Sequence, residues 1–99
     1  MRIVFRLEAQ ADAIEAYDWY EARAPGLGFE FVKALDVALT AATRNPETFA
    51  EIEGDLRRVI LRKFPYSLIF RAEADSLVVF AVFHHRRRPL SWPRRSAGL

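Results

Sequence analysis

The chain of 99 residues contains no cysteine, so it forms no disulfide and has neither thiolate chemistry nor cysteine ligands for a metal. It has only two histidines, which are adjacent, and no H-x-x-x-H or D-x-D spacing accompanies them. Because a metal site needs further ligands at such spacings, we expect no metal and no cofactor. The glycine motifs of nucleotide-binding proteins and serine hydrolases are also missing, so neither class has support.

Long hydrophobic segments are missing as well. The longest uninterrupted apolar run is Leu77–Phe83, far shorter than the roughly 20 residues that span a membrane. The first residues, MRIVFRLEA, contain no apolar segment typical of a signal peptide. We therefore expect a cytoplasmic protein without a membrane partner. With 52% hydrophobic and 28% charged residues, the chain has the composition of a folded protein, and its length predicts a single domain over residues 1–99.

Charge is distributed unevenly along the chain. Residues 1–56 carry 11 acidic and five basic side chains, whereas residues 57–99 carry ten basic and two acidic ones. This division predicts two surfaces of opposite sign, and the basic one suits a polyanion or an acidic partner. Alternatively, the arginines of the second half are solvated side chains on exposed strands.

The first half of the sequence predicts a strand followed by two helices. Over 2–7, one parity is entirely hydrophobic and the other carries both arginines and Val4, as in a half-buried strand. Apolar residues then recur at helical spacing and define one face: Ala9, Ala13, Ala16, Tyr17 and Tyr20. Pro25-Gly26 ends this helix, and a second helix is predicted over Leu27–Arg44, before Asn45-Pro46. Because the connection is short, the helices should form an antiparallel hairpin.

The second half predicts three strands. Residues 46–55 are expected to form a loop, and strands follow over Leu56–Phe64, Tyr66–Ala72 and Leu77–His84. The last of these is apolar on both faces, which is typical of a central strand. Residues 89–99 contain two prolines and small residues, and we expect a partly flexible tail there. The predicted fold is α+β in the order β-α-α-β-β-β, with the helical hairpin on one face of a small, mostly antiparallel four-stranded sheet.

A basic and aromatic cluster follows the last strand. It consists of His84, His85, Arg86, Arg87, Arg88 and Trp92. Guanidinium groups donate paired hydrogen bonds to phosphate or carboxylate, an indole offers a stacking surface, and an imidazole transfers protons near neutral pH. The cluster therefore predicts a site for RNA or for an acidic peptide. A solvated basic turn is the alternative.

Further cations lie on the predicted strands: Arg57, Arg58, Arg62, Lys63 and Arg71. Along a strand, Arg58 and Arg62 share one parity, and Arg57 and Lys63 the other, so one pair should face the side of the sheet that the helices leave open. We expect the cations of that face to gather beside His84. Protection of an edge strand against aggregation is the alternative for Arg57 and Arg58.

Four segments of the sequence form a recognisable combination. They are EAQADAIEAYDWYEARAPGLGFEF in the helical hairpin, RNP at its end, RRVILRKFPYSLIFR in the strands, and AVFHHRRRPLSW after them. The most specific feature is K-F-P-Y followed by H-x-x-R-x-P, which comprises His84, Arg87 and Pro89. Over about residues 8–95, these segments resemble the RelE/ParE superfamily of toxins from bacterial type II toxin–antitoxin systems, which are often described as plasmid stabilisation proteins.

The resemblance implies a growth-inhibiting toxin that a cognate antitoxin, with an often acidic binding segment, neutralises in a toxin–antitoxin hetero-oligomer. RelE-like members are metal-independent endoribonucleases that cut mRNA in the ribosomal A site. ParE-like members inhibit DNA gyrase instead. A module partner that has lost its toxicity and only binds the antitoxin is a third alternative.

For mRNA cleavage, the resemblance implies roles for individual residues. The RNA 2′-OH attacks the adjacent phosphate, so the reaction needs a base, an acid and cations around the phosphorane. His84 would be the acid or base, and charge would be stabilised by Arg62, Lys63, Arg71 and Arg87. The nucleic acid or the partner would be bound by Arg58, His85, Arg86, Arg88 and Trp92. The chain departs from the RelE-like pattern because it has no tyrosine after Tyr66 and a single lysine, Lys63, in the region of the second strand.

Overall fold

A computed structural model describes residues 1–86 of the chain. Its elements are β1 (Arg2–Phe5), α1 (Leu7–Arg23), α2 (Leu27–Arg44), a 3-10 turn (Pro46–Thr48), β2 (Glu51–Glu53), β3 (Leu56–Ile60), β4 (Tyr66–Ala72) and β5 (Ser76–His84). The strands form one sheet in the order β1-β5-β4-β3-β2. The α+β class is confirmed, and α2 and β4 have the predicted bounds. Within residues 1–86, no helix is both long and apolar enough to cross a membrane.

The sheet differs from the predicted four-stranded one in two respects. The predicted loop at 46–55 contains β2, in which Glu51 pairs with Arg57 of β3. Gly54 has a φ of +58°, a conformation that glycine adopts without strain and that allows the tight turn between these strands. In addition, β1 pairs with β5 in parallel, so the five-stranded sheet is mixed. β5 lies between β1 and β4, in agreement with its predicted central position.

β3 ends at Ile60 and not at the predicted Phe64. Lys63 has a φ of +69°, in the left-handed region that strand residues do not adopt, and Pro65 has no N–H for a strand ladder. The N–H of Leu61 donates to the carbonyl oxygen of Tyr66 at 2.9 Å and closes the hairpin. Residues 62 and 63 therefore lie in the loop between β3 and β4.

Both helices pack on the same face of the sheet. Small residues within this core allow the helices to approach each other: Ala9, Ala16, Ala38 and Ala42. At the end of the hairpin, Phe31 is fully buried, and its ring centroid lies 5.0 to 5.5 Å from those of Tyr20, Phe64 and Tyr66. Burial also raises the pKa of the Tyr20 phenol above its usual value. Tyr17, which the spacing assigns to the same face, is 37% exposed, and its ring lies against Gly28 at the hairpin turn.

The turn between the helices is held by Glu21. Its carboxylate accepts hydrogen bonds of 3.0 to 3.1 Å from the backbone N–H groups of Gly26 and Gly28. These donors belong to the N-terminus of α2, where a negative charge is favoured by the helix dipole. The side chain of one helix therefore caps the other and sets the geometry of the hairpin.

The opposite face of the sheet carries a second hydrophobic cluster: Leu56, Ile69, Phe80 and Ala81. The guanidinium carbons of Arg6 and Arg71 lie 5.4 and 5.2 Å from the ring centroid of Phe80. Neither α1 nor α2 contributes to this cluster. The four cluster residues are at most 2% exposed, so this face carries a buried apolar layer, and the guanidinium groups of Arg6 and Arg71 lie over its Phe80 ring.

Candidate functional site

An irregularity in β5 determines where its two histidines point. The pairing between β4 and β5 shifts after Val79, so that Phe80 is an extra residue on β5, as in a β-bulge. After the bulge, Val82 belongs to the core beneath the helices. His84, two residues further, faces the same side, and its neighbour His85 faces the opposite side.

His84 lies in a pocket beside α1. Its ring stands nearly perpendicular to that of Tyr66, with centroids 5.1 Å apart. These two rings, together with Trp19 and Arg86, line a half-open pocket of about 230 Å³, which we call the α1 pocket. Trp19 is 49% exposed, and the guanidinium carbon of Arg23 lies 4.0 Å from its ring centroid. Aromatic and cationic groups are thus combined at this end of the sheet.

The orientation of the His84 ring constrains its protonation. Its Nδ1 accepts a hydrogen bond of 3.0 Å from the backbone N–H of Arg86. The neutral ring therefore carries its proton on Nε2, and a second proton on Nδ1 would break this bond.

His85 is held on the opposite face. Its Nε2 lies 2.9 Å from the hydroxyl oxygen of Ser67, which is fully buried, and its backbone N–H donates to the Pro65 carbonyl at 2.8 Å. Because the Ser67 hydroxyl is inaccessible, this pair cannot present a nucleophile to a substrate. It anchors the end of β5 to β4.

Arg62 and Lys63 contribute to a second depression, which lies beside α2. Its volume is about 550 Å³, and we call it the α2 groove; it is lined by Leu27, Glu30, Lys33, Ala34, Val37, Arg62, Lys63 and Phe64. Glu30 is paired with Lys33 at 3.5 Å. Neither Arg62 nor Lys63 makes an ion pair with another residue of 1–86, so the groove has an excess of positive charge over an apolar floor. It shares no residue with the α1 pocket.

The remaining strand cations are dispersed. Arg71 lies on the face opposite the helices, where it is bound to Glu73 at 2.6 Å and is 4.0 Å from Asp55. Arg58 is exposed on that face as well. Arg57 faces the helix side and donates to the Phe49 carbonyl at 2.7 Å, so it holds the segment before β2.

The predicted gathering of cations beside His84 on the helix-free face is therefore wrong for the residues that the structure describes. His84 and Arg71 lie on opposite faces of the sheet. Tyr66, the pairing partner of His84, and Arg71 are also separated along β4 by roughly 17 Å at the usual strand rise. Only Arg86, of the candidates up to residue 86, shares a pocket with His84. The candidates Arg87, Arg88 and Trp92, and the predicted tail at 89–99, lie outside the described residues.

Sequence reasoning missed three residues around the two histidines. Trp19 has helical spacing that favours a core position, although half of its surface is exposed. Tyr66 and Ser67 appear as ordinary strand residues. The bulge in β5 determines which of them contacts which histidine, and it has no signature in the sequence.

Among residues 1–86, no cluster of three or more potential ligands of the His, Cys, Asp or Glu type could hold a metal ion.

Comparison with known proteins places this architecture in a family. No curated protein sequence matches the chain. Among solved structures, one described as the chromosomal ParDE TA system from P. aeruginosa aligns with a TM-score of 0.71 and 18% sequence identity, over 85% of this chain and 95% of that chain. At this identity the likeness concerns the fold. A family model described as the ParE toxin of the type II toxin–antitoxin system parDE matches residues 3–89. The chain therefore belongs to the ParE toxin family of type II toxin–antitoxin systems.

Proposed function

We propose that the chain is a toxin that an acidic antitoxin segment neutralises, and that it inhibits DNA gyrase by binding rather than by cutting mRNA. The observation that carries the second part is the separation of His84 from Arg71. Cleavage by a 2′-OH requires an acid, a base and cations within hydrogen-bond reach of one phosphate. Side chains on opposite faces of a sheet do not meet that requirement, whereas a binding surface has no need of it.

The α2 groove supports the antitoxin part of the proposal. Its floor is apolar, and three cations surround it, of which only Lys33 is paired with a carboxylate within the described chain. An amphipathic segment with carboxylates on its rim would bury apolar side chains in the groove and neutralise Arg62 and Lys63. The combination of an apolar floor and rim cations that are unpaired within residues 1–86 suits an acidic amphipathic peptide.

Cleavage of mRNA is the second candidate. It is favoured by the α1 pocket, which holds the His84 ring beside an exposed cation and an indole. In that case the protonated imidazole of His84, released from the Arg86 contact, would be the general acid that protonates the leaving 5′-oxygen, and Arg87 would be the phosphate ligand.

Expression of the chain without its antitoxin distinguishes these activities. We expect loss of negative supercoiling in a reporter plasmid and an SOS response, while incorporation of labelled amino acids continues at first, because gyrase and not the ribosome is bound. Both quantities are measured in the same culture at short intervals after induction. Prompt arrest of incorporation together with cut mRNA would support cleavage instead. Unimpaired growth would leave only the antitoxin-binding role.

A further inference from the structure

Asp12 connects α1 to β5 near the C-terminal end of the strand. Its Oδ2 accepts a hydrogen bond of 3.0 Å from the backbone N–H of Val82, across 70 positions of sequence. Val82 is only 2% exposed. In the sequence, Asp12 is only a polar residue beside the apolar face of the predicted helix. Hydrophobic periodicity therefore does not predict its contact with Val82.

The contact takes the place of a backbone hydrogen bond that a neighbouring strand would otherwise make with β5. β1 pairs with β5 only as far as Phe5 opposite Val79, and the chain then enters α1. Beyond Val79, β5 has β4 on one side and, among residues 1–86, no strand on the other. A buried N–H without an acceptor is costly, and the Asp12 carboxylate supplies that acceptor from the helix.

The contact also lies directly after the bulge. Phe80 is the extra residue of β5, and the N–H of Val82 is the donor two positions later. Shifting a strand by one residue moves every following side chain to the other face. If β5 continued without the bulge, His85 would point towards the helices and His84 towards Ser67. Whatever stabilises the bulge therefore decides which histidine enters the α1 pocket.

We propose that Asp12 is a positioning residue that holds the β5 bulge through Val82 and so directs His84 into the α1 pocket and His85 to Ser67. Asp12 itself does not line the pocket. Its consequence for toxicity rests on the proposed function and takes the α1 pocket as the surface that contacts the target, but the positions of the two histidines do not depend on that function.

The test compares two variants of similar shape in the full chain. Asp12→Asn keeps an oxygen that can accept from Val82, whereas Asp12→Leu keeps the branched shape and removes the acceptor. Asp18→Asn and Asp18→Leu, at an exposed position of the same helix, are the matched controls. Amide exchange at Val82 and nuclear Overhauser contacts from the His84 ring to Tyr66 and Trp19 are measured by NMR, well below the unfolding temperature.

For Asp12→Leu we expect Val82 exchange about tenfold faster or more, as for a local opening, together with loss of the His84 contacts to Tyr66 and Trp19. Asp12→Asn and the Asp18 variants should retain both. Faster exchange with the His84 contacts intact would show that Asp12 only stabilises the fold and would overturn the proposal. If the leucine variant does not fold, Asp12→Ala, which adds no methyl groups beside the amide, is interpreted by the same criteria.

The same variants separate this proposal from the proposed function. Asp12→Leu should reduce gyrase inhibition while antitoxin binding at the α2 groove is unchanged. Displaced His84 contacts without any change in toxicity would retain the positioning role of Asp12 and contradict the role of the α1 pocket in target binding.

Discussion

Replacement of both Arg62 and Lys63 with glutamate is expected to weaken binding of the cognate antitoxin by about 3 kcal/mol, or roughly a hundredfold in Kd. Both side chains lie on the rim of the α2 groove without an ion pair inside residues 1–86. Reversal of their charge places like charges opposite an acidic segment, which costs more than removal of the attraction alone. Isothermal titration calorimetry with the purified antitoxin measures this change, and raised salt should reduce it.

A matched charge reversal distinguishes local contacts from net charge. Arg2→Glu combined with Arg44→Glu changes the charge of the protein equally, but these exposed residues lie outside the groove. Their double variant should bind the antitoxin within about threefold of the unaltered protein, because distant exposed charges are largely screened. Equal weakening in both double variants would refute the assignment of the groove.

Replacement of Phe31 with alanine is expected to reduce the free energy of unfolding by about 3–5 kcal/mol. Phe31 is fully buried, and three aromatic rings surround it at the end of the hairpin. Small domains have only about 5–15 kcal/mol of stability, so this variant should be close to unfolding. Urea denaturation followed by circular dichroism gives the value.

Phe29→Ala is the control for this prediction. Phe29 belongs to the same helix but is 60% exposed, with Lys33 over its ring. Its replacement should change the stability by less than about 1 kcal/mol. If both phenylalanine variants were equally stable, the aromatic contacts at Phe31 would not be a main source of stability.

The ends of the helices were predictable because they depend on residues that are adjacent in the sequence. Pro25-Gly26 and Asn45-Pro46 end the helices, and the resulting bounds of α2 agree with the structure. The parallel pairing of β1 with β5 was not predictable in this way, because it joins residues from opposite ends of the chain. The same holds for β2, a strand of three residues that depends on pairing with β3.

The candidate site was less predictable than the fold. Alternation along β5 assigns sides to its residues only if the strand is regular, and the extra residue Phe80 reverses the assignment for His84 and His85. Similarly, parity along β3 cannot place Arg62 and Lys63, because the left-handed conformation of Lys63 ends the strand before them. Because of these two backbone irregularities, the cations and histidines that were predicted to lie together are divided among the α1 pocket, the α2 groove and the face opposite the helices.

Inhibition of purified gyrase tests most directly whether the toxin acts by binding. The chain is added to gyrase, relaxed plasmid and ATP, and supercoiled product is measured for the unaltered protein and for His84→Ala. Our account predicts that both inhibit supercoiling, with His84→Ala weaker by no more than about tenfold, since it loses a contact and not a proton transfer. Unimpaired supercoiling, together with mRNA cleavage on ribosomes that disappears in His84→Ala, would contradict it.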